Sequence, residues 1–229
     1  MNATTRRACV IGWPIQHSRS PLIHNYWIKQ HKLPADYRRE ALKPEEVADF
    51  LANLAARGYV GCNVTLPHKE AALAASEPDD RARAVGAANT LWLDSGRLLS
   101  TNTDVEGFTN NLDAAVPHWD RGQNDAVVLG AGGSARAVIH GLIERGFGRI
   151  HVVNRAFDRA ETLRQRFGAA VLPAKWTALP HLLGRAGGRR QAARFRAAHR
   201  LGRPPPRQRP AAQDRCRAAP GRSCPAAWC

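Results

Sequence analysis

The feature that most constrains this chain is a strand-like run that ends in glycines and leads directly into an amphipathic segment. DAVVLG (125–130) is followed by AGG and then by SARAVIHGLIERG, in which apolar residues recur at helical spacing. The pattern then repeats, with RIHVVN (149–154) predicting a strand and DRAETLRQRFG (158–168) predicting a helix. Strands and helices that alternate at this spacing predict a parallel, doubly wound sheet.

The glycine turn predicts a dinucleotide site. Gly130-x-Gly132-x-x-Ala135 lies between a strand and a helix, which is the context that the dinucleotide-binding fingerprint requires. Gly130 allows the tight turn, Gly132 lets the backbone approach a pyrophosphate, and the free N–H groups of the helix start face the phosphates. The residues expected at the cofactor are Gly130, Ala131, Gly132, Gly133, Ser134 and Ala135. The alternative is a glycine turn that binds nothing.

The residues after the second strand of this unit distinguish between the two nicotinamide cofactors. An NAD-binding chain typically carries an acidic residue at this strand end, where it bonds a ribose hydroxyl. Here Asn154 takes that position, and the guanidinium groups of Arg155 and Arg159 can pair with a 2′-phosphate. The pattern favours NADP; the alternative is that both arginines are solvated residues at a helix start.

The first half of the chain predicts a separate α/β unit. ACVIG (8–12) and YVGCNVT (59–65) are typical of short buried strands. Between them we expect one helix with Ser20 as its N-cap, followed by proline, and a second helix that ends at Gly58. ANTLWL and GRLLST predict a hairpin that turns near 94–96.

Short polar side chains lie at the boundaries of these elements, where a strand end can present them to a ligand. The candidates are Ser18, Ser20, Asn63, Thr65, Lys69, Asn89 and Asp104. Structural explanations compete with this one. Pro67 fits the first position of a helix, on which Lys69 would be a solvated surface cation. Asn89 fits a turn, and Asp104 fits a helix N-cap. The residues alone leave both interpretations open.

Charge is distributed unevenly along the 229 residues. A net charge of +15 would suggest a nucleic-acid or membrane partner if it were spread evenly. Residues 185–229 contain 12 Arg, no Lys and a single acidic residue, whereas the first 184 residues carry 22 basic and 18 acidic side chains. The basicity therefore belongs to the tail, and a binding protein whose tail contacts nucleic acid is the alternative function.

The composition of the tail argues against that alternative. It holds one Leu, one Phe and neither Val nor Ile, so it cannot bury enough apolar area to offset chain entropy, and we expect disorder. Its aromatic residues, Phe195 and Trp228, are few for base stacking. The abrupt onset, in a composition typical of GC-rich codons, favours a shifted reading frame or a truncated gene over a natural basic tail.

The cysteines and the apolar stretches indicate the cell compartment in which the protein is expected. Cys9 and Cys62 lie in strand-like runs and are expected to be small buried hydrophobes. No CxxC pair occurs, so neither zinc nor a redox dithiol is indicated, and we expect no metal. The N-terminal apolar stretch is too short for a signal-peptide core, and no stretch approaches the ~18 apolar residues of a membrane span. We expect a cytoplasmic protein with no membrane partner.

Six motifs in one order resemble the shikimate dehydrogenase family. They are GWPIQHSRSPLIHN, NVTLPHK, GAANTL, NTDVEG, GAGGSARA and NRAFDR, and the resemblance covers about residues 8–184. It implies an α/β protein with an N-terminal α/β substrate domain and a doubly wound, Rossmann-like NADP domain, here incomplete at its C-terminal end. The expected division is 1–104 for substrate binding and catalysis, 105–184 for part of the NADP domain, and 185–229 for the disordered Arg/Pro/Ala-rich tail.

The resemblance also implies an activity and roles for particular residues. Members of the family reduce 3-dehydroshikimate to shikimate with NADPH, on the route to chorismate and the aromatic amino acids. Lys69 matches the catalytic lysine and Asp104 its carboxylate partner, which also contacts substrate. Ser18 and Ser20 match contacts to the substrate carboxylate. The matches to residues around the substrate ring are Asn63, Thr65 and Asn89. Asp80 matches an acidic residue on the cofactor side in some members.

Three departures from the family pattern affect these expectations. Trp13 replaces a common Asn in the first motif, and Ala156 replaces a frequent Thr that could contact phosphate. The family's last strands and helix, which supply further substrate contacts, are not legible after Leu183. We therefore expect weak or absent activity. The residues do not separate shikimate from quinate as substrate, and they do not indicate an oligomeric state.

Overall fold

A computed structural model describes residues 5–186, and within them the first half of the chain forms a mixed sheet of six strands. Its order is β2-β1-β3-β5-β6-β4. The strands are β1 (Arg6–Gly12), β2 (Ala35–Ala41), β3 (Tyr59–Val64), β4 (Glu77–Pro78), β5 (Thr90–Asp94) and β6 (Arg97–Thr101). The helices between them are α1 (Ser20–Gln30), α2 (Val47–Ala52), α3 (Lys69–Ala74) and α4 (Asp80–Val85).

The direction of each strand decides which ends meet at one edge of this sheet. β1 pairs parallel with β2 and β3, whereas β5 runs antiparallel to both β3 and β6. The predicted hairpin is confirmed, because Ser95 and Gly96 both have positive φ, as a tight primed turn requires. The ends of β1, β3 and β6 consequently lie at the same edge as the start of β5.

The second half of the chain forms a parallel sheet of three strands within the described residues, in the order β7-β8-β9. The elements are α5 (Asp104–Ala115), β7 (Asp125–Leu129), α6 (Gly133–Glu144), β8 (Arg149–Asn154), α7 (Phe157–Phe167), β9 (Val171–Lys175) and α8 (Leu179–Ala186). Strands β7 to β9 with their two crossover helices make one βαβαβ half of a doubly wound fold. The predicted α/β class is confirmed.

Several predicted boundaries need correction. The parallel sheet has a third strand, β9, which the sequence pattern missed because Pro173 interrupts the apolar run; an edge strand tolerates such a proline. Ser20 is the first residue of α1 and Arg19 is its N-cap. Pro67 lies in the turn before α3, where the N–H of His68 bonds the carbonyl of Thr65.

Two more boundaries fall differently from the sequence pattern. Helix α2 ends at Ala52 and gives way to turns before Gly58, which has positive φ. Helix α5 begins at Asp104, and its N-cap is Thr103 rather than Asp104. The tail expected to be disordered, 185–229, lies outside the described residues except for the backbone of its first two positions.

The two sheets have separate hydrophobic cores that a small buried cluster connects. One core surrounds Cys9, Leu54 and Leu91, and the other surrounds Ile139 and Ile150. The connecting cluster consists of Val85, Ala87, Val105 and Ala137. Cys9 and Cys62 are free and buried, as expected. No helix among residues 5–186 is long and apolar enough to span a membrane.

Candidate active site

The polar candidates of the first half converge on one edge of the six-stranded sheet. β1 leads to Ser18, and β3 leads to Thr65 and Lys69. β5 starts directly after Asn89, and β6 leads to Asp104. These positions are neighbours because Asn63 pairs with Thr90 and Thr90 pairs with Thr101 in the two antiparallel ladders.

Lys69 and Asp104 form an ion pair at this edge. The Nζ atom of Lys69 donates to Oδ2 of Asp104, and the lysine is 7% exposed. Each residue is the first of its helix, α3 and α5 respectively. An ammonium held beside a carboxylate at the mouth of a cleft can donate a proton to a developing alkoxide and accept it in the reverse direction.

Asn89 holds the second oxygen of the carboxylate. Its Nδ2 donates to Oδ1 of Asp104 at 2.9 Å and to Oγ1 of Thr103 at 3.1 Å. Its Oδ1 accepts the main-chain N–H of Thr103 at 3.0 Å. The neighbouring backbone is fixed as well, since the N–H of Ala88 bonds the carbonyl of Lys69 at 2.9 Å. The pair therefore sits in a frame that spans β5, α3 and α5.

The remaining candidates of this half lie around the pair. Asn63 donates to Oγ1 of Thr90 at 3.1 Å and is joined to Asn89 through that residue. Thr65 packs closely on the end of β1, where a Cβ added at Gly12 would fall 2.6 Å from its Cγ2. The hydroxyls of Ser18, in the loop after β1, and of Ser20, at the start of α1, lie 3.3 Å apart.

Arg39 fixes the loop that carries the two serines. Its Nε and Nη2 atoms donate to the main-chain carbonyl of Ser18 at 2.8 and 2.6 Å. The serine hydroxyls thus stand beside a guanidinium group at the open edge of the sheet. This combination suits a carboxylate, because both hydroxyls can donate and the adjacent charge is positive.

The glycine turn of the second half reaches the same edge. Gly130 has a φ of 105°, a conformation that favours glycine, and a Cβ added at Gly132 would meet nothing within 4 Å. The turn is therefore open to a group that approaches its backbone, as a dinucleotide phosphate does. A Cβ added at Gly133 would lie 3.6 Å from Cδ of Lys69, so the start of α6 lies close to the ion-paired lysine.

The other cofactor candidates fall into two groups. Asn154 ends β8 and donates to the carbonyl of Ala156 at 2.7 Å, while Arg155 and Arg159 are exposed where α7 begins. All three come at or just after the end of β8, and β8 pairs with β7, the strand that leads into the glycine turn. Asp80 differs: it is fully exposed on α4 and its described partner is Arg83, at 3.3 Å, with no described contact to the glycine turn.

The sequence pattern did not indicate several polar residues of the site. Tyr37 on β2 donates to Oδ1 of Asn63 at 2.6 Å, and Thr90 bridges Asn63 and Asn89. His68 is 2% exposed, and its Nε2 lies 2.7 Å from the carbonyl of Leu42. Tyr37 carried no local signal, because only the pairing of strands far apart in sequence brings it to this edge. Among residues 5–186, no cluster of three metal-ligating side chains occurs.

Comparison with known families gives two matches that together cover most of the described chain. The model of the shikimate dehydrogenase substrate binding domain matches residues 10–91. The model of shikimate / quinate 5-dehydrogenase matches residues 114–186. The first match reaches from β1 to the start of β5 in the first sheet, and the second covers all three strands of the second sheet.

Individual relatives agree with these matches. A shikimate dehydrogenase (NADP(+)) of Nitrobacter winogradskyi is 59% identical over 184 residues, which are 80% of this chain and 66% of that protein. One from Rhodopseudomonas palustris strain TIE-1 is 57% identical, covering 82% of this chain and 67% of that protein. The chain thus spans about two thirds of the length of these curated relatives.

A solved structure extends the similarity to the fold. Shikimate 5-dehydrogenase from Thermus thermophilus, in complex with NADP(H) and shikimate, is 36% identical with a TM-score of 0.66. The match covers 74% of this chain and 63% of that one.

Proposed function

Because the chain belongs to the shikimate dehydrogenase family, we propose that it catalyses the reduction of 3-dehydroshikimate to shikimate with NADPH. The observation that carries the proposal is the Lys69–Asp104 ion pair with the start of α6 against the lysine. A dehydrogenase needs a proton donor next to the position from which hydride arrives. The closeness of Gly133 to Lys69 supports that arrangement.

The chain's own residues supply the acid–base part of this reaction. NADPH, when bound, supplies the hydride. The Lys69 ammonium donates a proton to the oxygen on which negative charge develops, and the neutral amine takes it back in the reverse direction. Asp104 accepts a hydrogen bond from the ammonium, and Asn89 fixes the orientation of the Asp104 carboxylate. Because proton transfer depends on position, this frame matters as much as the lysine.

The substrate fits the polar edge by its chemistry. Ser18 and Ser20, with the Arg39 guanidinium beside them, suit the ring carboxylate. We assign Asn63, Thr65 and Asn89 to the ring and its hydroxyls, and residues 1–104 to the substrate domain. Thr65 and the serines lie at neighbouring strand ends, which supports one ligand spanning both.

The proposed cofactor is NADP, bound by the second half of the chain in a domain that we delimit as 105–184. The relatives from N. winogradskyi and R. palustris are NADP(+) enzymes by name. In this chain the glycine turn with Gly130 and Gly132 suits the pyrophosphate. The strand-end group of Asn154, Arg155 and Arg159 suits the 2′-phosphate. Asp80 remains a weaker proposal, since its described contact lies on its own helix.

Cytoplasmic localisation is proposed on the same basis, because NADPH and the precursors of aromatic amino acids are intracellular metabolites. The expected loss of activity and the nucleic-acid alternative both depend on residues after 184. Of these, only the backbone of 185 and 186 is described. The expected loss of activity and the nucleic-acid alternative are therefore tested by experiments on the full chain.

The decisive experiment measures NADP+ reduction by the full chain with shikimate or quinate as substrate. Changing Lys69→Met should lower the rate about 100-fold or more, because a general acid–base group contributes roughly 10²–10⁴-fold. The exposed Lys29→Met provides a control lysine outside the site and should leave the rate unchanged. A folded chain that neither turns over nor binds shikimate and NADP would refute the proposal.

A further inference from the structure

A continuous series of side-chain hydrogen bonds runs from strand β2 to the catalytic pair. The hydroxyl of Tyr37 donates to Oδ1 of Asn63 at 2.6 Å, and Nδ2 of Asn63 donates to Oγ1 of Thr90 at 3.1 Å. The Thr90 hydroxyl donates to Oδ1 of Asn89 at 3.1 Å. Asn89 then donates to Asp104, which accepts from Lys69. We call this series the Tyr37 relay.

The direction of every bond in the Tyr37 relay follows from the end at Asn89. At one end the main-chain N–H of Thr103, which can only donate, bonds Oδ1 of Asn89. The Asn89 amide nitrogen must therefore face Asp104, which as a carboxylate can only accept. Thr90 then has to donate toward Asn89, which leaves its oxygen to accept from Asn63.

The other end of the relay is the Tyr37 hydroxyl, which carries the proton that this bond needs. Burial raises the pKa of Tyr37 well above its ordinary value, so its hydroxyl keeps its proton at every physiological pH. With Thr90 accepting from Nδ2 of Asn63, the Oδ1 atom of Asn63 is the group that faces this hydroxyl. The amide orientations that the Thr103 end imposes are therefore the ones in which the Tyr37 hydroxyl donates to Asn63.

We propose that Tyr37 and Thr90 are positioning residues: they fix the amide orientation of Asn63 and join it to Asn89, which holds the carboxylate partner of Lys69. Neither hydroxyl is bonded to the ion pair itself. The inference rests on the proposed function, since it concerns the same site. It also specifies what Asn63 offers to a ligand.

The specified group is an N–H donor. One hydrogen of the Asn63 amide goes to Thr90, and the other faces the carbonyl of Asn89 at 3.5 Å, the outer limit of a hydrogen bond. This second hydrogen is the one most easily given to a substrate hydroxyl oxygen. An Asn63 amide turned the other way would present its oxygen there and lose the bond to Thr90, whose hydrogen is already given to Asn89.

The structure provides clean variants, because the ring of Tyr37 is held independently of its hydroxyl. The ring stacks on His24 at 4.2 Å between centroids, and the side-chain amide of Asn25 bonds the Tyr37 backbone at 2.8 and 3.0 Å. Tyr37→Phe thus removes the donor alone. Thr90→Val removes the bridge with little change in shape, and Thr90→Ser restores it. Tyr59→Phe is the matched control, since that buried hydroxyl bonds Glu40 instead.

The first measurement needs no activity. In ¹⁵N NMR spectra of the unliganded full chain, the side-chain NH₂ signals of Asn63 and Asn89, identified from Asn→Asp variants, report the relay. We expect Tyr37→Phe and Thr90→Val to shift the Asn63 signals and speed their exchange, while Thr90→Ser and Tyr59→Phe leave them near their original positions. Unchanged Asn63 signals in both Tyr37→Phe and Thr90→Val would overturn the inference.

The second measurement is ligand affinity. Tyr37→Phe and Thr90→Val should weaken shikimate binding about 3- to 10-fold, which is the effect of one net hydrogen bond, without changing NADP affinity. Thr90→Ser should restore shikimate binding. Equal losses for shikimate and NADP, or equal losses in Tyr37→Phe and Tyr59→Phe, would indicate a merely structural role and overturn the inference. If the unaltered chain binds no shikimate, the proposed function fails, and the NMR result alone decides on the relay.

Discussion

At the scale of single residues, two glycines with opposite surroundings test how tightly the first sheet is packed. A Cβ at Gly61, in the centre of β3, would lie 2.5 Å from the carbonyl oxygen of Leu91 and 3.2 Å from Cα of Trp92. A Cβ at Gly107, exposed in α5, would meet nothing within 4 Å. Backbone atoms cannot move aside as a side-chain end can, so only the first position excludes a methyl group.

We expect Gly61→Ala to lower the free energy of unfolding by about 1–3 kcal/mol, the range for an overfilled site. Gly107→Ala should raise it by about 0.5–1 kcal/mol, because alanine loses less backbone entropy in a helix. Urea unfolding followed by circular dichroism measures both. A Gly61→Ala protein as stable as Gly107→Ala would contradict the close strand contact.

The residues of the site differ in how far sequence can find them. Lys69 and Asp104 stood out because each follows a strand end, a position readable from local pattern and then from motif order. Tyr37 did not, because it lies in β2, whose sequence ADYRREA has no apolar alternation that would predict a strand. Its partner Asn63 is 26 residues away, and only the β2-β1-β3 order places the two side chains together.

At the scale of elements, the C-terminus of α4 depends on a residue from the second half of the chain. The Nε of Arg166, on α7, donates to the carbonyl of Val85 at 3.1 Å, and its Nη2 donates to that of Arg83. The guanidinium lies over Gly86, where an added Cβ would collide with its Cζ. This contact ends a helix of six residues that has few bonds of its own.

Arg166→Met should therefore destabilise the protein by about 0.5–1.5 kcal/mol, the net value of an ordinary hydrogen bond at a partly exposed site. The same change at Arg164, exposed on the same helix, serves as the control. Amide exchange localises the effect, since the Gly86 N–H, which bonds Ala82 at 2.8 Å, should exchange faster in Arg166→Met alone. Equal protection of this amide in both variants would contradict the capping role.

Element type was predictable where periodicity was strong and boundaries less so. The hairpin and helix α6 follow from patterns of period 2 and 3.6, and helix α1 follows from the serine and proline at its start. β9 was missed because Pro173 breaks its pattern, and the start of α3 was misplaced because a proline suits a turn as well as a first helical turn. Whether a proline can lie in a strand depends on whether that strand is at the sheet edge. Whether it lies in a turn or a helix depends on the carbonyl that the next N–H bonds. Neither is readable from the local sequence.

At the scale of the whole molecule, one helix pair aligns the two halves of the site. Asp104 begins α5 and Gly133 begins α6, and the two helices pack along a seam of small residues. A Cβ at Gly141 would lie 3.2 Å from Cγ2 of Thr109 and 3.5 Å from Cγ1 of Val105. The closeness of this seam sets how near the glycine turn comes to the ion pair.

Widening the seam should uncouple the two ligands. Gly141→Leu inserts a side chain where even a methyl group is tight. In the unaltered chain we expect NADP and shikimate each to raise the affinity for the other by the same factor. In Gly141→Leu we expect that factor to fall toward one. Titration of each ligand alone and in the presence of the other measures this factor, with Gly107→Ala on the exposed face of α5 as the control. Coupling that is absent from the unaltered chain, or retained in Gly141→Leu, would show that the seam does not transmit it.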